Sequence, residues 1–244
     1  MIQELNRTIV NQNSTATLSF AAKIDLNRSI RLSGKSCCWL LLFCMSLSAA
    51  SPLEVQVLNA DGQAVGGFVV YLQARNTPSA TEAPQSGPTI KQEDKTFSPY
   101  ITVMQKGSDI LFTNLDDITH HIYSVAGSSS FSFKLRLGAT KSDLDISQTG
   151  VFGMGCNLHD WMTGYLLVVD TPYFAMTDSD GKTTLQVDSP GQYRVIAWHP
   201  QMNEQLEQQI TLPLASTLTL KLRRKMAEIP LQKPIDDFDF LERY

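Results

Sequence analysis

The chain has 244 residues, 43% hydrophobic and 18% charged, with a formal net charge of −4. That composition supports an ordinary buried core and leaves no room for a purely disordered chain. The acidic balance supplies no basic face, so nucleic acid is excluded as a partner.

The first segment with a clear physical character runs from Cys37 to Leu47, CCWLLLFCMSL, and carries no charge. It is shorter than the roughly 20 apolar residues that cross a bilayer. Arg28, Arg31 and Lys35 precede it, and Ser48, Ala49 and Ala50 follow it. Basic flank, apolar stretch and small-residue end are the layout of a secretory signal, with cleavage expected after Ala50. The chain is then expected in the periplasm with no stable membrane span; an uncleaved anchor facing the periplasm is the alternative. Bulky Phe43 speaks against lipid attachment at Cys44. Residues 1–50 thus form a polar extension plus signal, outside the fold.

Cleavage changes the cysteine arithmetic. Cys37, Cys38 and Cys44 leave with the signal, and Cys156 remains alone. Exported cysteines normally pair, so a solitary one reads as an inert core thiol, an intermolecular bridge or a metal thiolate. The signal segment also removes more basic than acidic residues. The exported chain is therefore more acidic than the full one and suits a partner with a basic docking patch.

The exported part reads as β-structure throughout. Leu53, Val55 and Val57 alternate with polar residues, Asp61-Gly62 turns the chain, and Val65 to Leu72 is apolar. Residues 51–73 make a first β block, and 74–88, rich in Pro, Ser, Thr and Ala, make a linker. A second block, 89–170, carries short strands between turns. Ile101 and Val103 alternate before Gly107-Ser108; Phe131, Phe133, Leu135 and Leu137 share a face; Leu144 and Ile146 continue the pattern. Phe152, Met154 and Cys156 lie on one face of a further strand, and Tyr165 to Val169 closes the block. Such spacing predicts an antiparallel sandwich. The third block, 171–222, places strands at Thr184–Val187, Tyr193–Trp198 and Leu218–Leu222 between Asp178-Ser179-Asp180-Gly181 and Pro190-Gly191 turns. Only Gln201 to Gln209 carries a helical signal. The tail, 223–244, has no sandwich pattern and is expected to be extended or disordered.

The chemistry concentrates in Gly155-Cys156-Asn157-Leu158-His159-Asp160-Trp161-Met162 and in the pair His120-His121. Cys156, His159 and Met162 offer a thiolate, an imidazole and a thioether on one loop between strands. His120, opening the strand HHIYSV, offers a second imidazole from a distant element. Two imidazoles and a thiolate around one ion, with a weak axial thioether, form the blue-copper arrangement. The thiolate suits both Cu(I) and Cu(II), and the thioether favours Cu(I). Met is a poor zinc ligand, which sets zinc aside. A binuclear copper centre needs a second cysteine where Phe152 stands. His121 remains an alternative to His120 as the first ligand. Asn157 and whichever histidine stays outside are then groups that tune the loop by hydrogen bonds. His199 falls in the third block and reads as structural. Asp116, Asp117 and Asp160 read as solvated loop charges.

These residues resemble the cupredoxin family over Thr89 to Asp170. Phe97-Ser98-Pro99 before Ile101-Thr102-Val103 is similar to that family's opening strand. Phe112-Thr113-Asn114-Leu115-Asp116 is similar to its approach to the first ligand, and Gly150 stands where the family has a turn glycine. The spacing of Cys156, His159 and Met162 is similar to that of the amicyanin subgroup, with Leu158 where that subgroup has proline. The whole chain also resembles cupredoxin-like proteins labelled for methylamine utilisation. The first and third blocks together resemble a carboxypeptidase-regulatory-like, transthyretin-type sandwich. The resemblance implies an all-β protein: a Greek-key cupredoxin sandwich inserted into a second, smaller one. Insertion requires Val55–Val57 to pack beside Tyr193–Ile196. It further implies one copper ion cycling between Cu(I) and Cu(II), electrons passing through His159 at the surface, and a c-type cytochrome or a dehydrogenase as partner. A saturated site with no open position implies a carrier rather than an enzyme. The alternatives are a copper-delivery module, or an envelope binding protein without redox turnover.

Overall fold

The computed structural model describes residues 51–75, 86–125 and 130–232. The expected leader, 1–50, most of the expected linker and the last residues of the tail lie outside the described residues. Among the described residues there is no helix; the fold is all-β, as expected.

β1 (Ser51–Leu58) and β2 (Val69–Ala74) open the chain. They then separate into different sheets, because the turn at Asn59–Gln63 and the extended stretch to Phe68 carry the chain across a core. The next nine strands build another sandwich. β3 (Thr89–Glu93), β4 (Thr96–Ser98), β5 (Ile101–Gln105) and β6 (Leu111–Asn114) are short, each ended by a turn. β7 (His120–Ser124), β8 (Phe131–Leu135) and β9 (Thr140–Lys141) follow, and β10 (Gly150–Cys156) and β11 (Thr163–Val169) close it. One sheet has the order β5-β11-β10-β7-β8 and faces β4-β3-β6-β9. The chain then returns: β12 (Phe174–Met176), β13 (Lys182–Val187), β14 (Gly191–Trp198), β15 (Leu206–Leu212) and β16 (Leu218–Lys221). β1 sits between β13 and β16, and β2 between β12 and β14. Strands separated by more than a hundred residues thus share sheets, which is the signature of an inserted sandwich.

Alternation explains both cores. Leu53, Val55 and Val57 of β1 point inward and meet Phe68, Leu72, Tyr193 and Val195 in one buried cluster. Val55, Val57, Tyr193 and Val195 thus belong to one buried cluster. In the other sandwich Phe112, Ile122, Phe152, Met154, Met162 and Leu166 fill the space between sheets. A third, smaller cluster joins the two sandwiches: Val69, Ile101, Leu167 and Val169 are buried beneath Tyr71, Tyr100, Val103 and Trp198. A Gln201 side chain seals it by donating to the Tyr100 hydroxyl at 2.8 Å.

Several local expectations are corrected. Gln201 to Gln209 holds no helix; β15 takes over from Leu206, because pairing along β14 satisfies its backbone. Leu144 and Ile146 form no strand, although Ile146 is buried against the core. Leu137 lies past the end of β8 and is exposed, since the chain turns at Gly138. The tail up to Gln232 is neither a strand nor free. Glu204 accepts from the backbone of Arg223 and Arg224, and Gln232 donates to Thr163 at 3.1 Å.

Candidate metal centre

β7, β8 and β10 run side by side, with His120 opposite Leu135 and Cys156 opposite Ile122. This register places the start of β7 and the end of β10 at the same end of the sheet. The pleat then decides which histidine faces in: His120 is fully buried, and His121 emerges on the other face. After Cys156 the chain leaves the sheet, and the Met162 amide donates to the His159 carbonyl at 3.0 Å. That tight turn returns His159 beneath the loop and buries the Met162 side chain completely in the core that holds Cys156.

The result is a compact donor set. Cys156 Sγ lies 3.6 Å from His120 Nδ1 and 3.8 Å from His159 Nδ1, and all three ligand atoms fall within 4.8 Å of one another. Imidazole and thiolate donors sharing one ion at about 2.0 and 2.3 Å sit roughly 3.5–3.7 Å apart. The chain's own spacing therefore fits one ion of that kind. The donor chemistry fits copper, with soft sulfur beside two imidazoles.

Electrostatics prepare the donors. Burial alone would push the Cys156 thiol up, but the His120 ring and the backbone of Leu158 and His121 outweigh it and hold the thiol below its ordinary range. Burial likewise opposes charge on His120, yet Cys156 and Asp116 outweigh it and raise the imidazole above its usual value. The thiol is thus biased toward the thiolate, the form that binds metal.

Of the sequence candidates, His120, Cys156 and His159 are brought together, and Met162 is buried below them. His121 lies outside the set. Its Nδ1 pairs with Asn157 Nδ2 at 2.9 Å and its Nε2 with Ser132 Oγ at 2.8 Å. With the Asn157 amide donating to the His121 carbonyl, this ties the loop to β7. Gly155 leaves room beside Cys156, since a Cβ there would meet the Tyr123 ring at 2.7–3.0 Å.

One reading is corrected. Asp116 is no solvated charge: its side chain is 11% exposed, and its Oδ2 lies 2.7 Å from His120 Nε2. Asp117 and Asp160 are exposed, as read. The sequence hides the role of Asp116 because it depends on a loop closing over four residues, although its position ahead of His120 is a usable signal. Trp161 packs on His159 with ring centroids 5.2 Å apart, and His159 is only 8% exposed, so little of its ring reaches the surface.

No family model matches the sequence, and no curated protein matches it. Solved structures resemble part of the chain. A copper-containing nitrite reductase from Thermus scotoductus is 19% identical over 40% of this chain, with a TM-score of 0.32; the match spans 25% of the reductase chain. A purple cupredoxin from Nitrosopumilus maritimus is 21% identical over 34% of this chain and 99% of its own, with a TM-score of 0.30. Amicyanin from Paracoccus versutus is 14% identical over 41% of this chain and 98% of its own, with a TM-score of 0.32. The functional reading accordingly stands on the donor set itself.

Proposed function

We propose that the chain is a mononuclear type 1 copper protein that carries one electron at a time, with His120, Cys156, His159 and Met162 as ligands. The observation that carries this reading is the convergence of two Nδ1 atoms and one Sγ within 4.8 Å. Bound copper would supply the Cu(I)/Cu(II) couple. The protein's part is to hold the donors still, so that gain and loss of an electron need little ligand movement. β7 and β10 hold His120 and Cys156 through their ladder, and the His121–Asn157 tie holds the loop. Burial of Met162 and Cys156 keeps water from the sulfur side.

The secretory layout around Cys37–Leu47 supports a carrier that works in the periplasm, free or held by its leader. A c-type cytochrome or a dehydrogenase presenting a basic face is the partner its acidity suits. The role is that of a carrier and not of an enzyme, because four protein ligands leave no position for substrate. Copper loading of the exported form tests the reading. An intense visible thiolate-to-copper absorption, bleached by one electron per protein and restored on oxidation, supports it; a colourless Cu(II) adduct overturns it.

A further inference from the structure

His120 is fully buried and its Nε2 is turned away from the donor set toward Asp116 Oδ2 at 2.7 Å. An ionised carboxylate can only accept, so this contact calls for a proton on Nε2 and, in the neutral ring, a lone pair on Nδ1 facing Cys156. Asp116 is itself held at two further points, one on its carboxylate and one on its backbone. The Lys95 amide donates to the same oxygen at 3.0 Å. The Asp116 amide donates to Asn114 Oδ1 at 2.9 Å, and the fully buried Asn114 donates to the carbonyls of Ile118 and Leu135 at 2.7 and 2.9 Å.

The Lys95 amide reaches Asp116 only because β3 and β4 turn over Asp94 and Lys95, with φ of 54° and 55°. Two successive residues other than glycine in the left-handed region are strained. The surrounding hairpin maintains that conformation, and it aims a backbone donor at the acid.

We propose that Asp116 is the positioning residue of the metal centre, a carboxylate that orients the His120 ring and sets the copper potential through it. The proposal rests on the copper reading above. A ring that donates to a carboxylate is a stronger base at its other nitrogen, and outer carboxylates of this kind typically shift metal affinity about 10–100-fold. The more highly charged ion gains more from the added electron density, so Asp116 favours Cu(II) over Cu(I). Its charge thereby opposes the thioether of Met162, which favours Cu(I).

Asp116→Asn keeps a carbonyl oxygen for the Nε2 proton and removes the charge. Competition with chelators of each oxidation state and equilibrium redox titration are the measurements. Relative to wild type, the Cu(II) affinity of D116N falls about tenfold and the Cu(I) affinity barely changes. The potential correspondingly rises by about 59 mV for one electron. A potential equal to wild type in a D116N protein that retains the visible band overturns the proposal.

A second measurement needs no copper. In nitrogen–proton spectra of the metal-free wild type, the His120 Nε2 proton is present and exchanges slowly, and Asp116→Ala abolishes that protection. A wild-type ring with no protected Nε2 proton overturns the proposal. A wild type that gives no copper colour sinks the electron-carrier reading, while the ring spectrum still decides whether Asp116 positions His120.

Discussion

Both sandwiches bury histidine, and His120 in one and His199 in the other are electrostatic opposites. His120 is fully buried beside a thiol and a carboxylate, and its imidazole is held above the usual value. His199, 4% exposed in the flanking sandwich, has burial as the only influence on its titration and falls to about 4. It stacks on Phe68 with centroids 5.2 Å apart, its Nδ1 accepts from the Gln201 amide, and its own amide points at Met202 sulfur. Burial alone therefore makes a silent, neutral histidine. A donor set with its own anions makes one that can hold a metal. The flanking sandwich uses His199 to fill space; the other holds His120 beside a thiol and a carboxylate.

The largest effect should come from removing the group that separates the two environments. Cys156→Ser should abolish the visible thiolate band entirely while the metal-free protein keeps its circular dichroism, because serine preserves the shape and lacks the thiolate. Survival of the band would mean that another group supplies the sulfur.

Acid should next single out the flanking sandwich. The folded pKa of His199 lies below its unfolded value of about 6.5, so its contribution is complete above that pH. It is lost as pH falls toward about 4, because the unfolded state takes up a proton that the native state refuses. Denaturant titrations from pH 7 to 4 should show about 3 kcal/mol of stability lost through this group, and His199→Gln should flatten that part of the profile. Equal slopes for the two proteins would mean that His199 is not buried neutral.

The joint between the sandwiches offers a smaller perturbation. Trp198 is half-buried and packs edge-on to Tyr165 with centroids 6.3 Å apart. Trp198→Ala should cost about 2 kcal/mol, less than a fully buried tryptophan, and should separate the unfolding of the two sandwiches. Calorimetry would then resolve two transitions where wild type gives one, with the copper band unaltered. The smallest change expected is in Asn157→Ala, which unties the loop from His121 at an exposed position. It should cost about 0.5–1 kcal/mol and shift the visible band only slightly.

The sequence carried the site further than the fold. Cys156, His159 and Met162 could be read together because they lie on one loop, and metal chemistry restricts what such a set can bind. Strands were readable where apolar residues alternate, as at Leu53–Val57 and Phe152–Cys156. The reading failed where partners decide. Gln201–Gln209 has no strong alternation, yet β14 recruits its last four residues into β15. Leu144 alternates with Ile146, yet no neighbour strand pairs with them.

The sequence by itself determined the donor types, their spacing and the β character of the chain from Ser51 onward, because side-chain chemistry and pleat periodicity are local properties. Only the tertiary structure decided that His120 and not His121 faces Cys156, since that depends on the register of β7 against β8 and β10. It alone joined β1 to β13 and β16, and Asp116 to His120 beneath the turn at Lys95. Those contacts form between segments far apart in the chain or across closed loops, where no local pattern records the partner.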